Sequence, residues 1–97
     1  MIETVKLTPE ITTEFLSDPT LPSDARKLIE RVRDRFSDAE TPLPAFATFS
    51  FIELMRYVQE NDLKEIEKMT LQMALLTFFQ KVLGEEQAEK VNNFWHR

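Results

Sequence analysis

The sequence has no cysteine, one glycine and one histidine, and each scarcity excludes a class of structure or chemistry. Without cysteine, neither a disulfide framework nor a thiolate metal site can form, which fits a reducing cytoplasm. One glycine cannot supply a phosphate-binding loop or the many positive-φ turns of a β-sandwich. The single histidine, His96, has no cysteine and no second histidine with which to form a catalytic pair or a metal site.

Long hydrophobic runs are also lacking. The most apolar window, residues 69–79, is too short and too interrupted by Thr and Gln to span a bilayer. The N-terminal segment has neither the basic region nor the apolar region of a signal peptide. We therefore expect a cytoplasmic protein with no membrane partner. Its 97 residues, of which 42% are hydrophobic, suffice for one domain with a modest core.

Acidic residues are plentiful, with 17 Asp and Glu against 12 Lys and Arg, but their positions do not indicate catalysis. Several lie near the predicted starts of helices, where a negative charge complements the helix dipole. Neither an E-x-x-H motif nor the spacing of an EF-hand calcium loop is present. We expect no enzyme activity, no cofactor and no metal ion, and a carboxylate metal site is a weaker alternative.

What the sequence does contain is apolar residues at helical spacing. Four positions are typical of helix starts: Pro9 after Thr8, Ser23, and the pairs Ser50/Glu53 and Asp62/Glu65. The two pairs have the pattern of capping boxes. Gly84 is typical of a helix end. Helices are therefore predicted over residues 9–17, 23–38, 51–60 and 63–83, and after Gly84. Residues 1–7 are predicted to be extended, so the expected fold is an all-α, single-domain bundle of four to five helices.

The predicted fourth helix is apolar around most of its circumference, which predicts that it is mostly buried at the centre of the bundle. The same surplus of apolar positions also predicts a surface for self-association or for a partner helix, since so short a chain barely covers one helix. Complete burial within one chain is the alternative. The predicted partner-contact residues are Met69, Met73, Phe78 and Phe79 of this helix, together with Phe46 and Trp95 outside it.

Residues 41–51, TPLPAFATFSF, combine three phenylalanines and two prolines without a charge. The prolines favour an extended backbone, so residues 40–49 are predicted to be a stiff Pro/Phe-rich crossover between the second and third helices. Phe46 and Phe49 are both predicted to seal the open end of the bundle. An outward-facing position is the alternative for Phe46, the ring counted among the partner-contact residues.

Residues 26–35 carry five bases against two acids, whereas residues 1–25 and 36–70 each have a net charge of −4. The predicted basic surface consists of Arg26, Lys27, Arg31, Arg33 and Arg35. Such a surface can bind nucleic-acid phosphates or an acidic protein, or it can be a solvated helix face with Glu30 and Asp34 interspersed. The acidic flanks disfavour nucleic acid.

These observations favour a small cytoplasmic helical protein–protein interaction module, regulatory in role, that acts as a homodimer or binds another protein. The alternative function is that of a nucleic-acid-associated protein that uses the basic segment 26–35. The two differ in a testable way, because phosphate binding depends strongly on salt and would be lost if these bases were changed to Glu.

Overall fold

Five helices and one short two-stranded sheet make up residues 3–37 and 39–96, the part of the chain that this computed structural model describes. The prediction of an all-α bundle is confirmed. In chain order the elements are β1 (Thr4–Val5), α1 (Pro9–Leu16), α2 (Ser23–Phe36), β2 (Thr41–Pro42), α3 (Leu43–Glu60), α4 (Glu65–Leu83) and α5 (Glu85–Trp95). The second helix ends at Phe36, one residue before Ser37, which was predicted to be helical. The parts of the predictions that concern residue 38 and residues 1 and 2 lie outside the described residues.

The small sheet fastens the start of the chain to the entry of α3. β1 and β2 are antiparallel, with Thr4 opposite Pro42, and the Leu43 N–H donates to the Glu3 carbonyl at 2.9 Å. The side-chain carboxylate of Glu3 accepts a hydrogen bond from Lys90 of α5 at 2.8 Å. Val5, within β1, is buried in the core. The strand therefore links α3 to α5.

The core lies between the second half of α4 and the facing sides of the other helices. Its centre is a chain of aromatic rings, since the Phe46 ring lies 4.6 Å from Phe36 and 4.9 Å from Phe79, centroid to centroid. Phe78 continues the chain to Phe15 of α1 at 5.2 Å. Aromatic pairs at such separations add stabilisation beyond the area they bury.

The third helix begins eight residues earlier than predicted, at Leu43 instead of residue 51. Pro44 lies in its first turn, where the missing N–H would have no intrahelical partner and the fixed φ suits a helix. The predicted capping box of Ser50 and Glu53 is therefore wrong, because both residues lie inside the helix. The Ser50 hydroxyl is buried there and has no hydrogen-bond partner among the described residues. The predicted crossover over 40–49 is likewise helical from Leu43 onward.

The fourth helix also starts differently from the prediction. Asp62, the predicted cap, has φ 50° in the turn after α3, and Lys64 occupies the N-cap position. The Glu67 carboxylate accepts the Lys64 N–H at 3.0 Å, which satisfies one donor at the helix start. The other end is as predicted, since Gly84, with φ 92°, separates α4 from α5. A side chain at such a φ is strained even though the space around it is open.

The prediction that α4 is mostly buried holds for one side of the helix. The buried residues on that side are Leu71, Leu75, Phe78, Phe79 and Val82. On the opposite side three large apolar side chains are exposed: Ile66 at 68%, Met69 at 53% and Met73 at 68%. The bundle therefore covers α4 from one direction only.

Candidate interaction surfaces

The predicted basic surface on α2 is neutralised by α3, which packs beside it. Glu53 is only 6% exposed and accepts hydrogen bonds from two guanidinium groups, Arg31 Nε at 3.2 Å and Arg35 at 2.9 Å. Arg31 also forms an ion pair with Glu60, the last residue of α3. These side chains form a polar seam between the two helices, which we call the α2–α3 seam.

The remaining bases of the segment are largely engaged as well. Arg26 donates to the backbone carbonyls of Leu16 and Asp18 at the C-terminal end of α1, where carbonyls lack intrahelical partners. Arg33 pairs with its neighbour Asp34 at 3.0 Å. Among the five predicted bases, Lys27 alone has neither an ion pair nor a hydrogen bond with a described residue. The acids that engage Arg31 and Arg35 belong to α3 and are distant in sequence, so the charge pattern of the segment does not reveal them.

Tyr57 of α3 lies at the end of the α2–α3 seam that is nearest to the N-terminus of α2. Its hydroxyl donates to Asp24 Oδ1 at 2.5 Å, and the Arg31 guanidinium lies 5.9 Å from its ring centroid. Burial of the phenol, together with this hydrogen bond to a carboxylate, raises the pKa of Tyr57 to about 12. The fold therefore favours the protonated form of Tyr57.

This group gives a prediction for alkaline pH. Tyr57 is the only tyrosine in the sequence, so near-ultraviolet tyrosinate absorbance reports on it alone. We expect an apparent pKa near 12 in the folded protein and about 10 after denaturation. Because the folded-state pKa is the higher one, stability from Tyr57 is complete below about pH 10 and is lost as the pH rises towards 12. Tyr57→Phe should lose less stability over this interval, and equal pKa values in both states would contradict the hydrogen bond.

Three of the predicted partner-contact residues are wrong as surface residues. Phe46, Phe78 and Phe79 are all 0% exposed, because they build the aromatic centre of the core. Trp95 is half-buried: its ring lies 6.0 Å from Phe79, and its indole N–H donates to the Ala47 carbonyl at 2.8 Å. Trp95 therefore anchors the end of α5 onto α3.

The prediction that Phe49 is buried is wrong. It is 39% exposed and lies on the flank of α3, where the Arg35 guanidinium is 4.6 Å from its ring centroid. The early start of α3 is the reason, since helical spacing places Phe46 and Ser50 on the core side and Phe49 to one side of it. Phe46 is thus buried and Phe49 is exposed.

The outer face of α4 carries an uncharged strip four turns long. We call it the α4 stripe, and it consists of Ile66, Met69, Thr70, Met73, Thr77 and Gln80, all of them exposed. Both threonine hydroxyls donate back to carbonyls one turn earlier, Thr70 to Ile66 at 3.0 Å and Thr77 to Met73 at 2.9 Å. Their hydrogens are used within the helix, which leaves the stripe weakly polar. Of the predicted contact residues, Met69 and Met73 are therefore the two that the fold places on the surface as large apolar groups.

Three shallow grooves lie beside the α4 stripe. One, of about 280 Å³, separates α4 from α5, and two others, of about 160 and 400 Å³, separate α4 from α2 and from α1. The charged residues that line them are Glu85 and Glu89 on the α5 side, and Glu14, Asp18, Asp24, Glu67 and Lys81 on the α1–α2 side. An apolar ridge is thus bordered by mainly acidic grooves.

The described residues offer little else to a ligand. Within 3–37 and 39–96 no three acidic or histidine side chains are grouped so that they could hold a metal ion. In the same part of the chain, no helix has the length and hydropathy needed to cross a bilayer. Comparisons with protein-family models, with curated proteins and with solved structures gave no match.

Proposed function

We propose that the protein is a small helical protein–protein interaction module whose contact surface is the α4 stripe. The observation that carries the proposal is the exposure of Ile66, Met69 and Met73 by more than half on the outer side of one helix. Apolar side chains that recur along one helix face are the usual contact elements of helix-in-groove and helix–helix recognition. A regulatory role in the cytoplasm is part of the same proposal.

The chemistry of the stripe supports binding to a protein. Methionine side chains are unbranched and polarizable, so they adapt to partners of different shape. The stripe is also carried on a 19-residue helix whose opposite side is fixed in the core, so little order has to be gained on binding. The nucleic-acid alternative has less support, because Arg26, Arg31 and Arg35 already make intramolecular contacts.

The double variant Met69→Gln/Met73→Gln tests the proposal. Glutamine has nearly the helix propensity and length of methionine, so the fold should be retained while the apolar contact is removed. We expect proteins that co-purify with the wild type from a lysate to be lost with this variant. If the partner is a second copy, sedimentation velocity should show a dimer of the wild type and a monomer of the variant.

The control is Gln59→Ala, an exposed position on α3 away from the stripe. It should retain every partner and every oligomer of the wild type. The proposal is wrong if the double variant has the same co-purifying proteins and the same sedimentation coefficient as the wild type. Circular dichroism of each variant excludes loss of the fold as the cause of a difference.

A further inference from the structure

We infer that the α4 stripe binds a basic amphipathic helix of another protein, with apolar residues on one face and Lys or Arg along both flanks. The inference rests on the proposed function and names the chemistry of the partner. Its basis is the charge of the three grooves that border the stripe. Their described lining residues include six acids and one base, Lys81.

The α5 border is purely acidic. Glu85 and Glu89 line the groove next to Gln80 of the stripe, and both are exposed. Neither forms an ion pair with a described residue, whereas the adjacent Glu86 is 3.6 Å from Lys90. Two uncompensated carboxylates one helical turn apart therefore face any group that lies in this groove.

The α1–α2 border is also mainly acidic, with four acids against one base, Lys81. Glu14 and Asp18 line the groove at Lys81, and Asp24 and Glu67 line the groove at Thr70. Three of these carboxylates have local hydrogen bonds: Asp18 from the Thr20 N–H and hydroxyl, Asp24 from the Tyr57 hydroxyl and Glu67 from the Lys64 N–H. None of the four forms an ion pair with a described residue.

Two other bases of these elements have contacts of their own. Arg26 donates to backbone carbonyls at the end of α1, and Lys68 pairs with Glu65 at 3.5 Å. The pKa of Asp18 is lowered chiefly by hydrogen bonds from Thr20 and to a smaller extent by the charge of Arg26. Acid on both sides of an apolar ridge is the complement of a helix whose apolar face is flanked by cations. Two copies of this protein meeting through the same face would instead oppose one acidic border to another, so charge favours a different protein over a second copy.

The length of the stripe sets the size of the partner. From Ile66 to Gln80 it extends roughly 21 Å at the rise of an α-helix. A partner helix of about four turns therefore covers it, with apolar residues three and four apart on one face. Lys or Arg side chains on the two flanks then reach the grooves on either side, while their methylene stems extend the apolar contact.

The test uses two fluorescein-labelled peptides of about 15 residues that differ only in charge. Both carry leucine along one helical face, and the flanking residues are Lys in the first peptide and Glu in the second. Fluorescence anisotropy with the full-length protein should show at least about tenfold tighter binding of the Lys peptide, and this preference should shrink as salt is added. Met69→Gln/Met73→Gln should abolish binding of the Lys peptide.

Matched charge variants separate local from overall electrostatics. Glu85→Gln/Glu89→Gln should weaken binding of the Lys peptide several-fold. Glu30→Gln/Glu40→Gln changes the net charge equally at positions that do not line the grooves, and it should have little effect.

Equal affinity for the two peptides, equal effects of the two charge variants, or no binding of the Lys peptide would each overturn the inference. None of these results contradicts the proposed function, because the comparison of proteins that co-purify from a lysate tests it separately. A dimer of the wild type that Met69→Gln/Met73→Gln dissociates would also overturn the inference, since it makes the occupant a second copy and leaves the proposed function intact.

Discussion

Replacing Phe46 by alanine is expected to lower the free energy of unfolding by about 3–5 kcal/mol, the range found for phenylalanine truncation in protein cores. The side chain is 0% exposed and contacts aromatic rings on two other helices, Phe36 of α2 and Phe79 of α4. Removing it leaves a cavity where three helices meet. Urea denaturation followed by circular dichroism gives the difference directly, since a domain of this size is expected to unfold in one transition.

Phe49→Ala is the matched control three residues away on the same helix. Its ring is 39% exposed and makes a cation–π contact with Arg35, so the expected loss is about 1 kcal/mol or less. Equal losses for the two variants would contradict the orientation of α3. A larger loss for Phe49 would restore the alternative considered from the sequence, in which Phe49 seals the end of the bundle and Phe46 faces outward.

The burial of Phe46 and the exposure of Phe49 show what a sequence does and does not determine about a helix. Helical spacing fixes the angles between side chains, but the direction that each one faces depends on where the helix begins. The predicted start of α3 at residue 51 depends on the apparent capping box of Ser50 and Glu53 and on Pro42 and Pro44, which indicate an extended segment before it. Proline is also well tolerated in the first turn of a helix, and the local sequence does not distinguish the two uses.

Boundaries were predicted best where one residue determines them. Pro9 starts α1 and Gly84 ends α4, and both depend on backbone conformations that are local properties of proline and glycine. The prediction of Asp62 as the cap of α4 is wrong because no single residue determines where that helix begins. Several polar residues near a helix start can serve as cap, and packing of the preceding turn selects among them.

The candidate surfaces were predictable only in part, because burial and ion pairing are tertiary properties. Met69 and Met73 were predicted as contact residues together with Phe78 and Phe79, yet only the first two are exposed. The apolar pattern of α4 does not say which side its neighbours cover. In the same way Arg31 looked unpaired in the sequence, since its partners Glu53 and Glu60 follow 22 and 29 residues later.

Glu53→Ala is expected to lower the free energy of unfolding by about 2–3 kcal/mol, the upper range for hydrogen bonds to charged groups. The Glu53 side chain is 8% exposed and holds both Arg31 and Arg35, so its loss leaves two guanidinium groups at the α2–α3 seam without their shared partner. Both arginines are about one-third exposed and can regain some hydration. The loss should therefore stay below that of a fully buried ion pair.

Glu60→Ala provides the comparison, because Glu60 pairs with the same Arg31 but its side chain is 58% exposed. An exposed pair of this kind contributes less than about 1 kcal/mol, and its contribution falls as salt is added. Chemical denaturation at low and high salt should thus separate the two carboxylates by both size and salt dependence. If both variants lost the same small amount, the α2–α3 seam would be a solvated surface feature, and its arginines would be free for an external partner.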